Sequence, residues 1–242
     1  MSSFQQLFDP SAEQLVAKVA DRSVAAIIHA WREGREAQIV LTGGRTGVAI
    51  AKAIDVALFR ATSQDSLFVG SKVRIWFSDE RFTEWNDQDR SDSILIAGFE
   101  RSSSHLQFER VAQPLNTSLE EAAVSYGAAL DTRVGENSRF DAVILSMGED
   151  GHIASLFPGH TAQLNSMNSA VAVDNSPKPP AERVSIAVAR LAKASAIYIF
   201  AVGESKRQAL EELLRGSQIS PISMLRESSP SASIFIVTDI KL

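Results

Sequence analysis

Along the chain, short runs of apolar residues alternate with longer segments in which apolar residues recur every three or four positions. The longer segments are typical of amphipathic helices, whereas the short runs bounded by glycine are typical of buried strands. Residues 9–34 contain the longest helical pattern. We expect Asp9 or Ser11 to cap the start of this helix and Gly34 to mark its end.

The same patterns predict an alternating order of strands and helices. The predicted strands are AQIVLTGG, KVRIWFSDERF, FDAVILSMG, SAIYIFAVG and SIFIVTD, with HLQFERV as a possible further strand. The predicted helices between them are TGVAIAKAIDVALFR, SILIAGF, SLEEAAVSYGAALDTRV and ESKRQALEELLRG. This order favours an α/β fold in which a mostly parallel sheet is covered on both faces. The Pro-rich DNSPKPPAER suits an active-site loop better than a domain boundary, so we expect one domain over residues 1–242.

Composition and charge narrow the classes of partner. Hydrophobic residues make up 45% of the 242 residues and the formal net charge is -5, without a cluster of Lys and Arg. We therefore expect neither nucleic acid nor an anionic membrane as a partner. The start MSSFQQLFDPS lacks the pattern of a secretion signal, and no apolar run approaches the roughly 18 residues of a membrane span. A cytoplasmic protein is expected.

The chain has no cysteine, which excludes disulfides, thiolate nucleophiles and cysteine-ligated metals. A metal site built from His152, His160 and nearby acids would lack the His-Glu-x-x-His spacing of a helical zinc site, so no metal is expected. Ser155 is a weak candidate for a nucleophile because no Gly-x-Ser-x-Gly elbow surrounds it.

Polar residues and glycines follow several of the predicted strands, in TGGRTG, SDERF, GEDGH and VGESK. Ligands of open parallel sheets bind at the carboxyl ends of the strands, so these stretches are expected to converge. In TGGRTG, the backbone N–H groups of Gly43 and Gly44 can approach an anion. A tight turn without a ligand explains the same glycines equally well.

Four cations are candidates for anion binding. Arg81 follows a predicted strand directly and Arg90 lies in the next loop, where a guanidinium binds either a phosphate or a neighbouring acid. Prolines stiffen the stretch SPKPPAER, which contains Lys178 and Arg183. That stretch fits either a phosphate-binding loop or a rigid surface turn.

The stretch MGEDGHIASLFPGH is the strongest candidate for chemistry. His152 follows a predicted strand and lies close to Gly148 and Gly151. An unperturbed imidazole titrates near pH ~6.5, so it can accept a proton from water at neutral pH. Asp150 could orient this imidazole or raise its basicity. We therefore expect a general base at His152.

Five motifs occur in the order found in 6-phosphogluconolactonases of the oxidative pentose phosphate pathway, which the chain resembles from about residue 40 to 206. They are LTGGRTG, FSDERF, MGEDGHIASLFPG, SPKPPAERVS and AVGESK. The resemblance implies a three-layer α/β/α fold like that of glucosamine-6-phosphate deaminase and ribose-5-phosphate isomerase. It also implies hydrolysis of a small phosphosugar lactone, 6-phospho-D-glucono-1,5-lactone, without a metal or an organic cofactor.

The resemblance further implies roles for individual residues. His152 matches the catalytic base and Asp150 the acid beside it. The residues that match substrate-binding positions are Gly43, Gly44, Thr46, Arg81, Lys178 and Arg183, with Arg90 as a further substrate contact. Two positions depart from the pattern of many relatives, which have Pro at Gly47 and often Asn at Ser91.

Two other functions remain as alternatives. Glucosamine-6-phosphate deaminases share the glycine loop and the Asp-Gly-His-Ile-Ala stretch, but their GHIAFNEPG reads GHIASLFPG here and their DEY reads DER. A sugar-phosphate-sensing domain without turnover would normally accompany a helix-turn-helix segment, and the net charge of -5 does not suit DNA. Both comparisons favour the lactonase.

Overall fold

A computed structural model describes residues 4–63, 68–115, 117–135, 138–216 and 220–241. Within these ranges, the strands are β1 Phe4–Phe8, β2 Ala37–Leu41, β3 Val73–Phe77, β4 Asp79–Arg81, β5 Leu106–Glu109, β6 Phe140–Ser146, β7 Ala170–Val173, β8 Arg183–Ile186, β9 Ala194–Phe200 and β10 Ser233–Thr238. The helices are α1 Ala12–Arg32, α2 Gly44–Thr62, α3 Ser91–Ala97, α4 Leu119–Leu130, α5 Thr161–Leu164, α6 Val188–Leu191, α7 Arg207–Arg215 and α8 Pro221–Glu227. Short 3-10 turns lie at Ser103–His105 and Glu204–Lys206, and a π-helical turn lies at Asp131–Gly135.

Seven strands form the main sheet in the order β1-β10-β9-β6-β2-β3-β5. Every neighbouring pair in this sheet is parallel. A second sheet has the order β4-β8-β7, and both of its pairs are antiparallel. The prediction of a mostly parallel sheet is confirmed.

Alternate residues of the central strands face two separate apolar clusters, as the two-residue period of a strand requires. Ile39 and Leu41 face a cluster formed with α1, α2 and α3. Val40, between them, faces a cluster formed with α4, α7, α8 and the second sheet. The main sheet is therefore the middle of three layers, which confirms the expected α/β/α class.

The first helix begins and ends where the sequence predicts. Of the two candidate caps, Ser11 is the one used, because its hydroxyl accepts the backbone N–H of Gln14 at 3.3 Å. Asp9 supports the cap by accepting the N–H of Ser11 at 2.9 Å. Gly34 follows the helix with a φ of 75°, a left-handed conformation that glycine adopts without steric cost. No helix in the described ranges combines the length and apolar composition that a membrane span requires.

The predicted strand KVRIWFSDERF is wrong as a single element, because it divides into β3 and β4 in two different sheets. Ser78 lies between them and is fully buried. Its N–H donates to the carbonyl of Leu41 at 2.8 Å, and its own carbonyl accepts the N–H of Ile186 at 2.8 Å. Ser78 thus joins the main sheet to the second sheet.

Three further strands were not predicted. β1 is an edge strand of exposed and half-buried residues, so its apolar signal is weak. β7 and β8 have four residues each and flank the Pro-rich loop. Their pairing with β4 is a long-range contact that local patterns do not reveal.

Gly47 on α2 lies unusually close to the end of β2. A Cβ atom at this position would be 1.9 Å from the carbonyl oxygen of Thr42. Since that oxygen belongs to the backbone, it cannot rotate away. The departure from the proline of many relatives therefore permits a close approach of α2 to β2.

We predict that Gly47→Ala lowers the free energy of unfolding by about 1–3 kcal/mol, the usual cost of inserting a methyl group where there is no room. Urea denaturation measures this change. Gly127→Ala on α4 is the matched control, because a Cβ there would be 3.3 Å from its nearest neighbour, the backbone N of Ala170. Equal stability of the two variants would contradict the close approach at Gly47.

Candidate active site

The order of the main sheet reverses at β2. From β2 the chain continues to β3 and β5 on one side, whereas β6, β9 and β10 lie on the other side. Ligands of open α/β sheets bind outside the carboxyl ends of the strands at such a reversal. The residues that follow β2 and β6 here belong to the glycine loop and the histidine turn, so the two motifs meet.

At the end of β6, His152 and Asp150 form a hydrogen bond between Nδ1 and Oδ1. An ionised carboxylate accepts, so the imidazole carries its proton on Nδ1 and leaves Nε2 with a lone pair. No residue in the described ranges is hydrogen-bonded to Nε2. The ring packs on Phe157 with centroids 4.7 Å apart, and 14% of the side chain is exposed. The free nitrogen is thus suited to accept a proton from a small molecule.

The two groups shift each other's pKa. Burial lowers the pKa of His152 below its usual value, and the hydrogen bond with Asp150 only partly opposes this effect. Burial would raise the pKa of Asp150, but the hydrogen bond and charge of His152 hold it below the usual range. At neutral pH the pair is therefore a neutral imidazole beside an ionised carboxylate.

The turn that holds this pair requires a glycine at position 148. A Cβ on Gly148 would lie 2.1 Å from His152 Nδ1 and 2.4 Å from Asp150 Oδ1. The N–H of Gly148 also donates to the carbonyl of His152 at 2.8 Å, which closes the turn. Gly151 completes the turn with a φ of 81°. Gly148 is thus explained by the side chains of His152 and Asp150 packed against it, and Gly151 by its backbone conformation.

The glycine loop places the start of α2 beside this turn. Gly43 is the N-cap residue and has no side chain to accept the first N–H groups of the helix. Gly44 begins α2 with a φ of 68°, and Thr46 lies half-buried in the first turn. Free N–H groups at the start of a long helix favour an anion or a developing oxyanion.

Arg81 is braced beneath the glycine loop. Its Nη1 donates to the hydroxyl of Ser91, which lies so close to Gly43 that a Cβ on Gly43 would be 2.6 Å from it. The serine found where relatives often have asparagine is therefore a small partner for both residues.

Behind Arg81, Glu80 is fully buried and accepts the N–H groups of Arg81, Ser91 and Asp92 at 2.8, 3.0 and 2.6 Å. Burial raises the pKa of Glu80 to about 7, although these hydrogen bonds favour its ionised form. Glu80 thereby ties β4 to the start of α3.

The structure does not bring Arg90 to the open edge of the site. Its side chain is fully buried and forms an ion pair with Asp92 at 2.7 Å. It also donates to the carbonyls of Thr83 at 3.1 Å and Val111 at 2.7 Å. Its hydrogen bonds hold the loop between β4 and α3 in place. Arg90 therefore binds a neighbouring acid, which is the alternative to binding a phosphate.

Arg183 and Lys178 lie together but differ in exposure. Arg183 is buried and donates to the carbonyls of Pro180 at 3.1 Å and Lys178 at 2.8 Å, so it braces the Pro-rich loop. Lys178 is exposed, and its positive charge lowers the pKa of His152. The loop therefore places the ammonium of Lys178 on the same side as the imidazole.

Three charged residues of this edge were given no role from the sequence: Lys206, Arg45 and Asp79. Lys206 follows β9, and its ammonium donates to the carbonyl of Met147. Burial lowers the pKa of Lys206, the charges of Glu149 and Asp150 raise it, and those of Lys178 and Arg45 lower it. Asp79 accepts hydrogen bonds from Ser155 at 2.6 Å and Ser78 at 2.9 Å. Lys206 stands in the VGESK strand exit, which was the one available signal for it.

In the described part of the chain, no group of three or more His, Cys, Asp or Glu side chains is arranged to hold a metal ion. The side chains at this edge are instead one His–Asp pair, several cations and a helix N-terminus. Chemically, this set can accept a proton and bind an anionic group.

Residues 10–234 match the family model of glucosamine-6-phosphate isomerases and 6-phosphogluconolactonase. A 6-phosphogluconolactonase of Mycobacterium tuberculosis is 30% identical over 235 residues, which cover 93% of this chain and 90% of that protein. A 6-phosphogluconolactonase of Streptomyces coelicolor is 30% identical over 228 residues, which cover 90% of this chain and 85% of the relative.

Solved structures share the fold. A 6-phosphogluconolactonase from Shewanella baltica aligns with a TM-score of 0.78 and 21% identity, covering 98% of this chain and 97% of its own. The 6-phosphogluconolactonase from Thermotoga maritima aligns with a TM-score of 0.75 and 21% identity, covering 98% of this chain and all of its own, 100%. The three-layer fold is thus the same at low sequence identity.

We predict that His152 titrates below the usual pKa of a histidine and that Asp150→Asn lowers its pKa further. The substitution removes a carboxylate that stabilises the imidazolium, whereas the burial that disfavours the imidazolium stays. NMR titration of the imidazole resonances of both proteins measures the two values. The resonances of His29, on the exposed side of α1, are the internal control. A higher pKa in Asp150→Asn would contradict the pairing.

Proposed function

The chain belongs to the glucosamine-6-phosphate isomerase/6-phosphogluconolactonase family, and on this basis we propose that it hydrolyses 6-phospho-D-glucono-1,5-lactone to 6-phospho-D-gluconate. One observation supports this most directly: His152 has a free Nε2 and an Asp150 partner at the reversal of the sheet. The relatives from Mycobacterium tuberculosis and Streptomyces coelicolor, which match nearly the whole chain, are 6-phosphogluconolactonases. The net charge of -5 supports a small-molecule substrate rather than nucleic acid.

Binding of the phosphate is assigned to Lys178 and Arg81. Lys178 is exposed and Arg81 lies below the glycine loop, so the phosphate of the substrate binds between them. Arg183 shapes the loop that presents Lys178. Holding the phosphate fixes the lactone carbonyl C1 near Nε2, which replaces a bimolecular encounter by a positioned reaction.

In the chemical step, Nε2 of His152 removes a proton from water while the water oxygen forms a bond to C1. The electrons of the carbonyl double bond move to its oxygen and give a tetrahedral oxyanion. When that oxyanion collapses, the bond from C1 to the ring oxygen breaks, and the imidazolium returns its proton to the ring oxygen. Asp150 stabilises the imidazolium between these transfers. The carboxylic acid formed then releases its proton to solvent.

Backbone N–H groups at the start of α2 are assigned to the oxyanion. Gly43 is the N-cap and Gly44 the first residue of this helix, whose dipole favours negative charge at its N-terminus. One such donor is typically worth roughly 2.7–4 kcal/mol of transition-state stabilisation. A δ-lactone is an activated ester, so its hydrolysis requires little more than this oxyanion stabilisation and a general base.

We predict that the purified protein accelerates the loss of 6-phospho-D-glucono-1,5-lactone. Glucose-6-phosphate dehydrogenase generates the lactone, and its disappearance is followed with and without the protein. Release of ammonia from glucosamine 6-phosphate is measured in parallel. No acceleration of lactone loss would overturn the proposal, and ammonia release would replace it with the deaminase reaction.

We predict that His152→Ala lowers kcat by ~10²–10⁴-fold, which is the usual contribution of a general base. Binding of 6-phospho-D-gluconate should stay within about threefold, because the cations that hold the phosphate are unchanged. Steady-state kinetics and calorimetric titration measure the two quantities. His29→Ala is the control, since that side chain is 71% exposed on α1. Wild-type turnover by His152→Ala would show that the base is another group.

A further inference from the structure

The backbone directly after His152 is strained. Ala154 has a φ of 51°, and it is the one residue other than glycine in the described ranges with a positive φ. A residue with a Cβ pays roughly 1–2 kcal/mol in this left-handed region. Such a conformation persists only where neighbouring contacts hold it. The contacts of the next residue, Ser155, show what holds it here.

Ser155 is anchored by its side chain to the second sheet. Its hydroxyl donates to Oδ2 of Asp79 at 2.6 Å, and its own N–H donates to the hydroxyl of Ser185 at 3.4 Å. The other oxygen of Asp79 accepts the hydroxyl of Ser78 at 2.9 Å. Both oxygens of the carboxylate are therefore held, and the carboxylate is a rigid acceptor for Ser155.

The anchor lies on the short strand that also carries a cation of the site. Asp79 and Arg81 are two residues apart on β4, so both stand on the same face of the second sheet. In the antiparallel ladder, Asp79 pairs with Ser185 and Arg81 pairs with Arg183. A single ladder thus holds the arginines and, through Asp79, the turn of His152.

A role of Ser155 as a nucleophile does not fit this arrangement. Only 1% of the residue is exposed, so a substrate cannot reach its oxygen. Its hydroxyl proton is committed to Asp79. The remaining role for Ser155 is to hold the turn of His152 in place against β4. That role explains why its hydroxyl is buried between these two segments.

We propose that Ser155 and Asp79 are positioning residues, whose hydrogen bond sets the place of the His152 imidazole relative to the cations of the second sheet. This inference rests on the proposed function, in which Arg81 of that sheet and Lys178 hold the phosphate while His152 acts at C1. A misplacement of about 1 Å at a reacting centre costs up to ~10²-fold in rate. A single buried hydroxyl therefore has a large effect on turnover.

The pKa of His152 reports the position of its imidazole, because burial and the surrounding charges both shift it. Burial lowers the pKa of His152, Asp150 and Asp79 raise it, and Lys178 lowers it. When the Ser155 anchor is lost, the turn opens to water and the largest of these effects, burial, weakens. The pKa of His152 then rises toward its usual value.

The test is Ser155→Ala, measured by steady-state kinetics and by NMR titration of His152. We expect kcat to fall by ~10–100-fold, KM to change by less than about threefold because the cations are unchanged, and the acid limb of the kcat profile to move to higher pH. Ser23→Ala is the matched control: it is equally buried on α1, donates to the carbonyl of Val19, and packs on the other face of the sheet. It should leave kcat and the pH profile unchanged.

Two further variants keep the test decisive. Asp79→Asn retains an oxygen acceptor for Ser155 but removes the charge, so kcat should fall less than in Ser155→Ala while the pKa of His152 decreases. If Ser155→Ala does not fold, Ser155→Cys fills the same space with a weaker donor and should show a smaller loss of kcat.

Outcomes for the two proposals are distinguishable. If Ser155→Ala folds and keeps both the kcat and the His152 titration of the wild type, the positioning role is wrong. If the wild type itself does not hydrolyse the lactone, the proposed function fails, and the NMR titration still reports whether Ser155 holds the imidazole. A loss of stability with an unchanged pH profile would reduce Ser155 to a structural residue.

Discussion

The parallel pairing of β2 with β6 is the constraint on which the rest of the site depends. Ile39 and Val40 pair with Ala142 and Val143, and the chain order of the sheet reverses at this place. Parallel strands end at the same edge, so the glycine loop and the histidine turn must emerge side by side. A helix N-terminus and a His–Asp pair thus come together because two buried apolar strands share a register.

The second sheet adds the cations to this edge. Ser78 is bonded to the end of β2 on one side and to β8 on the other, so β4 leaves the main sheet in a fixed direction. Glu80 then ties β4 to α3, and Arg183 braces the Pro-rich loop. Buried polar groups that are satisfied in this way specify one arrangement of loops, because any other arrangement leaves them without partners.

Charge is distributed unevenly between this edge and the rest of the molecule. The chain has a net charge of -5, yet the charges of Lys178 and Arg45 are close enough to lower the pKa of Lys206, while the charges of Glu149 and Asp150 raise it. A mildly acidic protein can therefore bind a phosphate without attracting polyanions in general.

The sequence by itself determined the strands and helices with strong periodicity, the parallel class of the sheet, and the convergence of the strand exits. The roles of His152 and Asp150 were predicted from the sequence because these residues are two positions apart and pair locally. The tertiary structure alone decided that Arg90 is buried against the carbonyl of Val111, that Lys206 reaches Met147, and that Asp79 anchors Ser155. These contacts join residues whose partners depend on the packing of several layers, and periodicity along one segment contains no information about what lies across a sheet.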